Sequence, residues 1–225
     1  MLSSDIKVKK YIASDICKPL IELWNLIKNS PLELCNYYKQ EQDKFILNKD
    51  YYYEVRDRFN KNRNCKDFLF LLRTCANGTP RFNKKHNFNT SVNVKRNGIR
   101  ADKLKEICLQ WSELLNKYNV DFIHTSYQNI TPDKLDFMYL DPPYMNTTGL
   151  YYGGIDIHKF FDYLKNVECK YLFSFDGKTD KIDNTYDIPK ELYTKHIYIK
   201  SGLSSFRRLN KKIENQTVYE SLYVK

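Results

Sequence analysis

The chain has 225 residues, a formal net charge of +10 at pH 7 and a hydrophobic content of 42%. This length suits one domain, or one domain with a modest insertion, and allows a sizeable core. The absence of a long apolar run argues against a transmembrane span, and the first residues lack the apolar core of a signal peptide, so we expect an intracellular protein. The six cysteines and four histidines are scattered without a CxxC pair, a pattern that favours reduced, buried thiols over a metal site or a disulfide framework.

The positive charge is concentrated in four stretches, at residues 56–66, 81–85, 95–100 and 207–212. Such patches gain affinity for nucleic acids because they release counterions from phosphates. A second interpretation is that the many lysines reflect an A+T-rich genome and are simply solvated. Charge alone therefore favours a polyanionic partner and leaves the second interpretation open.

The first half of the chain is predicted to be mainly helical. A short strand at residues 8–13 ends at Ser14-Asp15, and a helix follows at 18–30 with Leu20, Leu23, Trp24 and Ile27 at helical spacing. Further helices are predicted near residues 31–45, 50–59, 66–76 and 101–117. Between the last two, residues 78–100 have almost no apolar periodicity and are rich in basic and turn-forming residues. We expect this stretch to be an extended or hairpin-like excursion rather than part of the core.

The second half alternates between strand and helix. Strands are predicted at residues 120–125 and 136–140, a helix at 155–166, and a strand at 170–175 that ends at Asp176-Gly177. Two more strands, at 195–200 and 217–224, are predicted to form a terminal antiparallel hairpin. The pattern predicts an α/β fold with a largely parallel sheet, in which ligands bind outside the carboxyl ends of the strands. Five residues follow such strand ends: Asp15, Ser126, Tyr127, Asp141 and Asp176.

The sequence Asp141-Pro142-Pro143-Tyr144 directly follows a predicted apolar strand. Proline cannot continue a sheet ladder and has a fixed φ, so this segment should be a stiff loop with outward-facing carbonyls. An amino group that donates to Asp141 and to the Pro142 carbonyl would be held with its lone pair turned away from its ring, while Tyr144 offers a stacking face. Methylation of an exocyclic amine requires this arrangement. The competing interpretation is a rigid turn with a buried tyrosine.

Several blocks in one order resemble the Dam-type N6-adenine DNA methyltransferases, which use S-adenosylmethionine (SAM). Besides DPPY, these are the acidic segment from Tyr11, the segment with Arg73 and Asn77-Gly78 that continues through Arg81-Phe82-Asn83 to Phe88-Asn89, the stretch FIHTSYQNI, and a closing block with basic residues and Glu220. The resemblance covers essentially residues 10–225. It implies a Rossmann-like SAM-dependent methyltransferase sheet with an antiparallel terminal strand and a small helical and hairpin target-recognition insertion.

The resemblance also implies roles for individual residues. Asp141 and the Pro142 carbonyl would hold the N6 atom of an adenine flipped out of duplex DNA, beside Pro143, and Tyr144 would stack on the base. The implied SAM-binding residues are Asp15, Ile16, Ser126, Tyr127 and Asp141. The implied DNA-binding residues are Arg73, Asn77, Gly78, Arg81, Asn83, Lys84, Asn89, Lys95, Arg96, Arg207 and Arg208. Residues 1–45 and 118–225 would form the methyltransferase core and residues 46–117 the DNA-recognition insertion. The expected setting is a bacterial, phage or viral-type cytoplasm.

Three departures from the family pattern affect these expectations. No glycine precedes Gly78, so the strand and glycine-rich loop that cradle the methionine part of SAM are not recognisable. This leaves three explanations: a fragment or alternatively started product, a second chain that supplies the loop, or a catalytically silent DNA-binding relative. The arginine that often follows the FN pair is displaced to Lys95-Arg96, which leaves the recognition sequence open. Asp176 stands where the family often has asparagine, either as a polar strand-end group or as a cap of the next turn.

Structural roles compete with the functional ones at several of these residues. Asp15 could be a loop-side acid near a helix start, and Arg73 could merely pair or extend from an apolar helix. Tyr151-Tyr152 could line a base pocket or form an exposed turn. RNA adenine methylation is a further possible activity, although the Arg/Asn block resembles a DNA-targeting segment.

Overall fold

The structure, a computed structural model, describes residues 8–145, 154–203 and 217–225. These residues divide into two compact units, one formed by the described residues up to 129 and the other by those from 130 onward. Four residues discussed above lie outside the described ranges: Tyr151, Tyr152, Arg207 and Arg208. No helix within the described ranges combines the length and the apolar character that a membrane span requires.

The first unit contains two strands and five α-helices. They are β1 (Tyr11–Asp15), α1 (Lys18–Asn29), α2 (Pro31–Leu47), α3 (Tyr51–Asn62), α4 (Cys65–Thr74), α5 (Ala101–Lys117) and β2 (Val120–His124). β1 and β2 pair in parallel, with Asp15 opposite His124. The apolar face of α1 covers this pair: Trp24 stacks on Phe122 of β2 and meets Trp111 of α5 edge-on. The predicted helices are confirmed, and β1 ends at Asp15 as predicted but begins at Tyr11 rather than at residue 8.

The excursion at residues 78–100 packs into the helical core of the first unit through two aromatic side chains. Phe82 and Phe88 pair across an isolated antiparallel bridge, and both rings contact Phe68 of α4. Phe88 also contacts Phe59 of α3. The predicted hairpin-like form is confirmed, but the expectation that the stretch lies outside the core is wrong, because Phe82 and Phe88 are buried in it. One hydrophobic cluster runs from Cys17 to Val120, so packing does not separate residues 46–117 from residues 1–45, and the assignment of DNA recognition to that segment stays a prediction.

The second unit contains β3 (Phe137–Leu140), α6 (Ile157–Lys165), β4 (Lys170–Thr179), β5 (Lys195–Leu203) and β6 (Thr217–Val224). Its sheet has the order β3-β4-β6-β5. β3 and β4 are parallel, while β6 is antiparallel to both of its neighbours. Asp156 caps α6 by accepting hydrogen bonds from the backbone of His158 and Lys159. The parallel pairs and the terminal antiparallel hairpin agree with the predicted α/β class.

One predicted boundary is wrong, because β4 does not end at Asp176-Gly177. The strand continues to Thr179, and its register with β6 shifts between Phe175 and Lys178. Phe175 pairs with Ser221 and Lys178 with Tyr219, so Asp176 and Gly177 together oppose a single residue in a β-bulge. An aspartate-glycine pair is common in turns, and here it forms a bulge because β6 pairs on both sides of it.

Candidate active site and nucleic-acid interface

The segment Asp141–Met145 begins where β3 ends. Leu140, the last residue of β3, is buried against the parallel neighbour β4, where it pairs with Phe173. Asp141 is exposed, Pro142 is buried and Tyr144 is half-buried. The buried proline and the paired strand therefore fix the base of the segment, while the Asp141 carboxylate faces outward, as the predicted amine-binding role requires.

The Asp141 carboxylate is held by a serine that the sequence motifs did not indicate. The Ser174 hydroxyl of β4 donates to Asp141 Oδ1 at 2.8 Å. Tyr139 Oη lies 3.1 Å from Ser174 Oγ. Because a hydroxyl carries one proton and that of Ser174 goes to Asp141, Tyr139 is the donor in this second bond. The chain Tyr139–Ser174–Asp141 fixes one carboxylate oxygen and leaves Oδ2 without a hydrogen bond from the described residues.

Tyr144 lies in the same group of side chains. Its ring contacts Phe175 edge-on, with the ring centroids 6.1 Å apart. Burial raises the pKa of Tyr144, a hydrogen bond with Ser174 opposes this rise, and the negative charges of Glu220 and Asp141 add to it. The phenol therefore stays protonated at neutral pH, and the ring is a neutral, partly exposed aromatic surface beside Asp141.

Asp176 holds the other end of the segment. Its Oδ2 accepts a hydrogen bond of 2.7 Å from the backbone N–H of Met145. Asp176 is buried, whereas Met145 is 42% exposed. Neither role considered for Asp176 describes this bond in full, because Asp176 lies in the bulge within β4 and its carboxylate contacts the DPPY segment.

The residues implied in SAM binding lie at the carboxyl end of the β1–β2 pair, except for Asp141. Asp15 Oδ1 accepts from the backbone N–H of Cys17 at 2.6 Å, and the Asp15 carbonyl accepts from Thr125 at 3.2 Å. Ser126 and Tyr127 follow Thr125 and are half-buried, and Ile16 is 45% exposed. A partly exposed carboxylate of fixed orientation beside an exposed apolar side chain fits the ribose and ring of an adenosine group.

The hairpin at residues 79–92 is fastened to α3 by neutral polar side chains. Asn60 donates to the Phe88 carbonyl at 3.0 Å and accepts from the Phe88 N–H at 2.8 Å, and the Tyr52 hydroxyl donates to the Thr90 carbonyl at 2.9 Å. Within the hairpin, Asn83 Oδ1 accepts from the backbone N–H of Lys85 and Asn87. Part of the Asn83 amide is thus used to shape the loop.

A second basic loop, at residues 95–100, is anchored to α2 by two buried side chains. The Tyr38 hydroxyl donates to the Ile99 carbonyl at 2.9 Å, and Gln42 donates to the carbonyls of Asn97 at 2.8 Å and Ile99 at 2.6 Å. Gly98 lies between Asn97 and Ile99 and has φ +78°, and a Cβ at this position would lie 2.7 Å from Tyr38 Oη. Tyr38 and Gln42 were not predicted as functional residues. The only indication in the sequence was their spacing of four residues, which places two polar side chains on the same face of α2.

The described residues predicted to bind DNA are all exposed: Arg73, Asn77, Gly78, Arg81, Asn83, Lys84, Asn89, Lys95 and Arg96. They lie at the end of α4, on the hairpin and on the 95–100 loop. Asn77 has a left-handed backbone with φ +56°, as does Gly78 with φ +64°. Arg100, which belongs to the basic stretch 95–100 but was not among the residues predicted to bind DNA, is paired with Asp102 at 3.0 Å.

Several known proteins are similar to this chain in sequence. Type II methyltransferase M.MjaIII of Methanocaldococcus jannaschii is 35% identical over 152 residues, which are 60% of this chain and 50% of that protein. Modification methylase StsI of Streptococcus sanguinis is 25% identical over 89% of this chain and 35% of that protein. DNA adenine methylase of Serratia marcescens is 29% identical over 60% of this chain and 50% of that protein. The matches thus span half or less of the length of these three relatives.

The family comparison covers nearly the whole chain. Residues 2–212 match the profile described as D12 class N6 adenine-specific DNA methyltransferase. The matched range includes β1 with Asp15, the hairpin at residues 79–92, the DPPY segment and the bulge in β4. The chain belongs to the D12 class of N6 adenine-specific DNA methyltransferases.

Proposed function

We propose that this protein transfers a methyl group from SAM to the N6 atom of a flipped-out adenine in double-stranded DNA, at a specific site. The observation that carries the proposal is the Asp141 carboxylate directly after β3, with Oδ1 held by Ser174 and Oδ2 without a hydrogen bond from any residue that the structure describes. The type II and modification-methylase names of the relatives point to a role in restriction-modification, inside a bacterial, phage or viral-type cytoplasm.

Enzymes of this DNA methyltransferase family use SAM, which supplies an electrophilic methyl group. Asp141 Oδ2 and the Pro142 carbonyl accept the two N–H bonds of the adenine amine and hold it so that the nitrogen lone pair points away from the base. When SAM is bound, its sulfur-linked methyl group would be the one given to N6, and the nitrogen would then lose one proton to solvent. Tyr144 offers a neutral ring on which the base stacks. Asp15, Ile16, Ser126 and Tyr127 would hold the adenosine part of SAM.

DNA binding rests on the exposed basic residues of the first unit. Lys84 and Arg81 lie on the hairpin, and Lys95 and Arg96 on the loop anchored by α2. Since the neutral side chains of α2 and α3 hold the backbones of both loops, the charged side chains stay available for phosphates. Arg207 and Arg208, outside the described residues, are further proposed contacts.

A finer form of the proposal is that a second chain supplies the glycine-rich SAM loop. Its support is that β1 pairs with β2 alone among the described strands, and Ile12 of β1 is 59% exposed. Parallel strands are normally covered on both faces, and unpaired edges are usually protected. An added parallel strand followed by a glycine-rich loop would pair with the open edge of β1.

The proposal is tested with radiolabelled SAM and an A+T-rich DNA duplex, using this chain alone and together with the product of the neighbouring gene. SAM binding and methyl transfer by the chain alone would support a self-sufficient enzyme. No binding alone but transfer in the mixture would support the second chain. DNA binding without transfer under either condition would contradict the catalytic proposal and favour a silent DNA-binding relative.

A further inference from the structure

Two polar residues, Ser174 and Asp176, interrupt the most buried part of β4. Ser174 is 4% exposed and Asp176 is 6% exposed, and Phe173 and Phe175 beside them are fully buried. Burying a hydroxyl or a carboxylate costs free energy unless its hydrogen bonds are replaced. Both residues make hydrogen bonds to the same neighbour, the segment Asp141–Met145.

The two contacts lie at opposite ends of that segment. Ser174 donates to the Asp141 side chain at 2.8 Å, and Asp176 accepts from the Met145 backbone at 2.7 Å. Phe175, between them in sequence, contacts the Tyr144 ring. Three consecutive residues of β4 therefore touch the first, fourth and fifth residues of the segment.

The bulge in β4 explains how Asp176 can do this from within a strand. Asp176 and Gly177 together oppose Glu220 of β6, so β4 contains one extra residue at this point. A bulge of this kind redirects the side chains beside it. Gly177 is required for the close approach of the two strands, because a Cβ there would lie 2.1 Å from the Tyr219 carbonyl oxygen.

From these contacts we infer that Ser174 and Asp176 are positioning residues that clamp the DPPY segment at both ends, and that the β4 bulge aims Asp176 at Met145. The inference rests on the proposed function in so far as the clamped segment holds the target amine. Ser174 orients the one side chain that contacts the amine, and Asp176 fixes the backbone beyond the stacking tyrosine. Loss of either contact should therefore lower the rate of transfer without weakening DNA binding.

The test compares single-turnover methyl transfer, DNA affinity and thermal unfolding in five variants, with the neighbouring gene product added if the natural chain requires it. Ser174→Ala and Asp176→Ala should each lower the rate about 10- to 100-fold, as expected for a misplaced reacting group, with unchanged DNA affinity. Ser174→Thr keeps the hydroxyl and Asp176→Asn keeps an acceptor oxygen, so both should recover part of the rate. Ser221→Ala is the matched control, because Ser221 is also buried, on β6, and among the described residues its hydroxyl makes no hydrogen bond to the segment Asp141–Met145.

A second readout does not depend on activity. The Met145 amide should exchange slowly with solvent in the natural chain and at least about 10-fold faster in Asp176→Ala, with no change in Ser221→Ala. An active natural enzyme whose rate is unchanged by both alanine substitutions would overturn the clamp while the proposed function stands. If the natural chain is inactive under all conditions, the proposed function fails, and fast Met145 exchange in the natural chain would overturn the clamp as well.

Discussion

The two basic loops of the first unit, at residues 79–92 and 95–100, and the DPPY segment of the second unit are held in different ways. In the first unit, Tyr38, Gln42, Tyr52 and Asn60 bond to loop backbones and leave the charged side chains exposed. In the second unit, Ser174 bonds to the carboxylate of Asp141, the group proposed to hold the amine. A phosphate contact tolerates a mobile lysine, whereas an amine must be held to within a fraction of an ångström. In the two loops the fold thus holds backbone carbonyls, whereas in the DPPY segment it holds a side-chain oxygen of the proposed amine-binding residue.

The largest expected effect is that of Asp141→Ala in the second region. Because the amine would lose its charged acceptor, methyl transfer should fall about 10³-fold or more. DNA affinity should stay nearly unchanged, since the proposed phosphate contacts lie in the first unit. A filter-binding titration beside the transfer assay measures both quantities. A large loss of DNA affinity in this variant would contradict the separation of the two roles.

Among the helices of the first unit that carry the loops, the strongest effect on stability should come from Arg58→Ala. Arg58 of α3 donates to Asp67 of α4 through two nitrogens, at 3.0 and 2.6 Å, and also to Glu41 of α2. Both carboxylates are buried, and removing their partner should cost about 3–5 kcal/mol at pH 7 in urea unfolding. Lys61→Ala, on the exposed face of the same helix, should change the free energy of unfolding by less than about 0.5 kcal/mol.

The same cluster predicts a pH dependence. Burial raises the pKa of Glu41, but hydrogen bonds from Lys44, Arg58 and Tyr51 outweigh it and lower the pKa below its usual value. A lowered pKa in the folded state contributes stability above the unfolded value of about 4.3, which is lost as the pH falls through the folded value. The natural chain should therefore lose stability below about pH 4. The deficit of Arg58→Ala should shrink as Glu41 protonates, and a deficit that grows at pH 4 would contradict this account.

Gly98→Ala should have a smaller effect, on the anchored loop of the first region. The added Cβ would lie 2.7 Å from Tyr38 Oη and 3.1 Å from the Arg73 carbonyl, so we expect a loss of about 1–3 kcal/mol of stability and weaker DNA binding. Gly78→Ala is the steric control for stability, because Gly78 has a similar positive φ and nothing within 4 Å of the added atom. Equal losses of stability in the two variants would argue against the tight anchoring of the 95–100 loop.

The smallest effect should be that of a single exposed lysine. Lys84→Ala should weaken DNA binding only a few-fold and lower the slope of log affinity against log salt by about 0.9. The rate of methyl transfer at saturating DNA should not change. Titrations at several salt concentrations measure the slope, and a loss of transfer at saturating DNA would show that the residue does more than bind phosphate.

Much of the first region could be predicted from the sequence because its signals are local. Helical spacing gave the positions of α1 to α5, and the polar, basic texture of residues 78–100 indicated an excursion. The anchors could not be predicted, because Tyr38 and Gln42 are about 55 to 61 residues away from the carbonyls that they bind. Asn83 was predicted only as a DNA contact, and its hydrogen bonds within the loop became visible only in the structure.

In the second region, the sequence indicated the DPPY segment and the strand before it but not the residues that hold it. Ser174 is 33 residues from Asp141, and the two meet only because β3 and β4 pair in parallel with Leu140 opposite Phe173. The available signal was a serine inside the apolar run Tyr171–Phe175. Asp176-Gly177 was misread as a strand end because the bulge depends on pairing with β6, which is distant in sequence. Both the Ser174–Asp141 hydrogen bond and the bulge in β4 therefore depend on contacts between segments that are distant in sequence.

The most direct test of the central claim is the identity of the methylated base. Duplex DNA treated with SAM and this chain, with the neighbouring gene product if needed, is digested to nucleosides and analysed by mass spectrometry. The account predicts N6-methyladenine, at one sequence context, and its loss in Asp141→Ala. Methylcytosine as the product, or N6-methyladenine that persists in Asp141→Ala, would contradict the assignment of the Asp141 carboxylate as the group that holds the adenine amine.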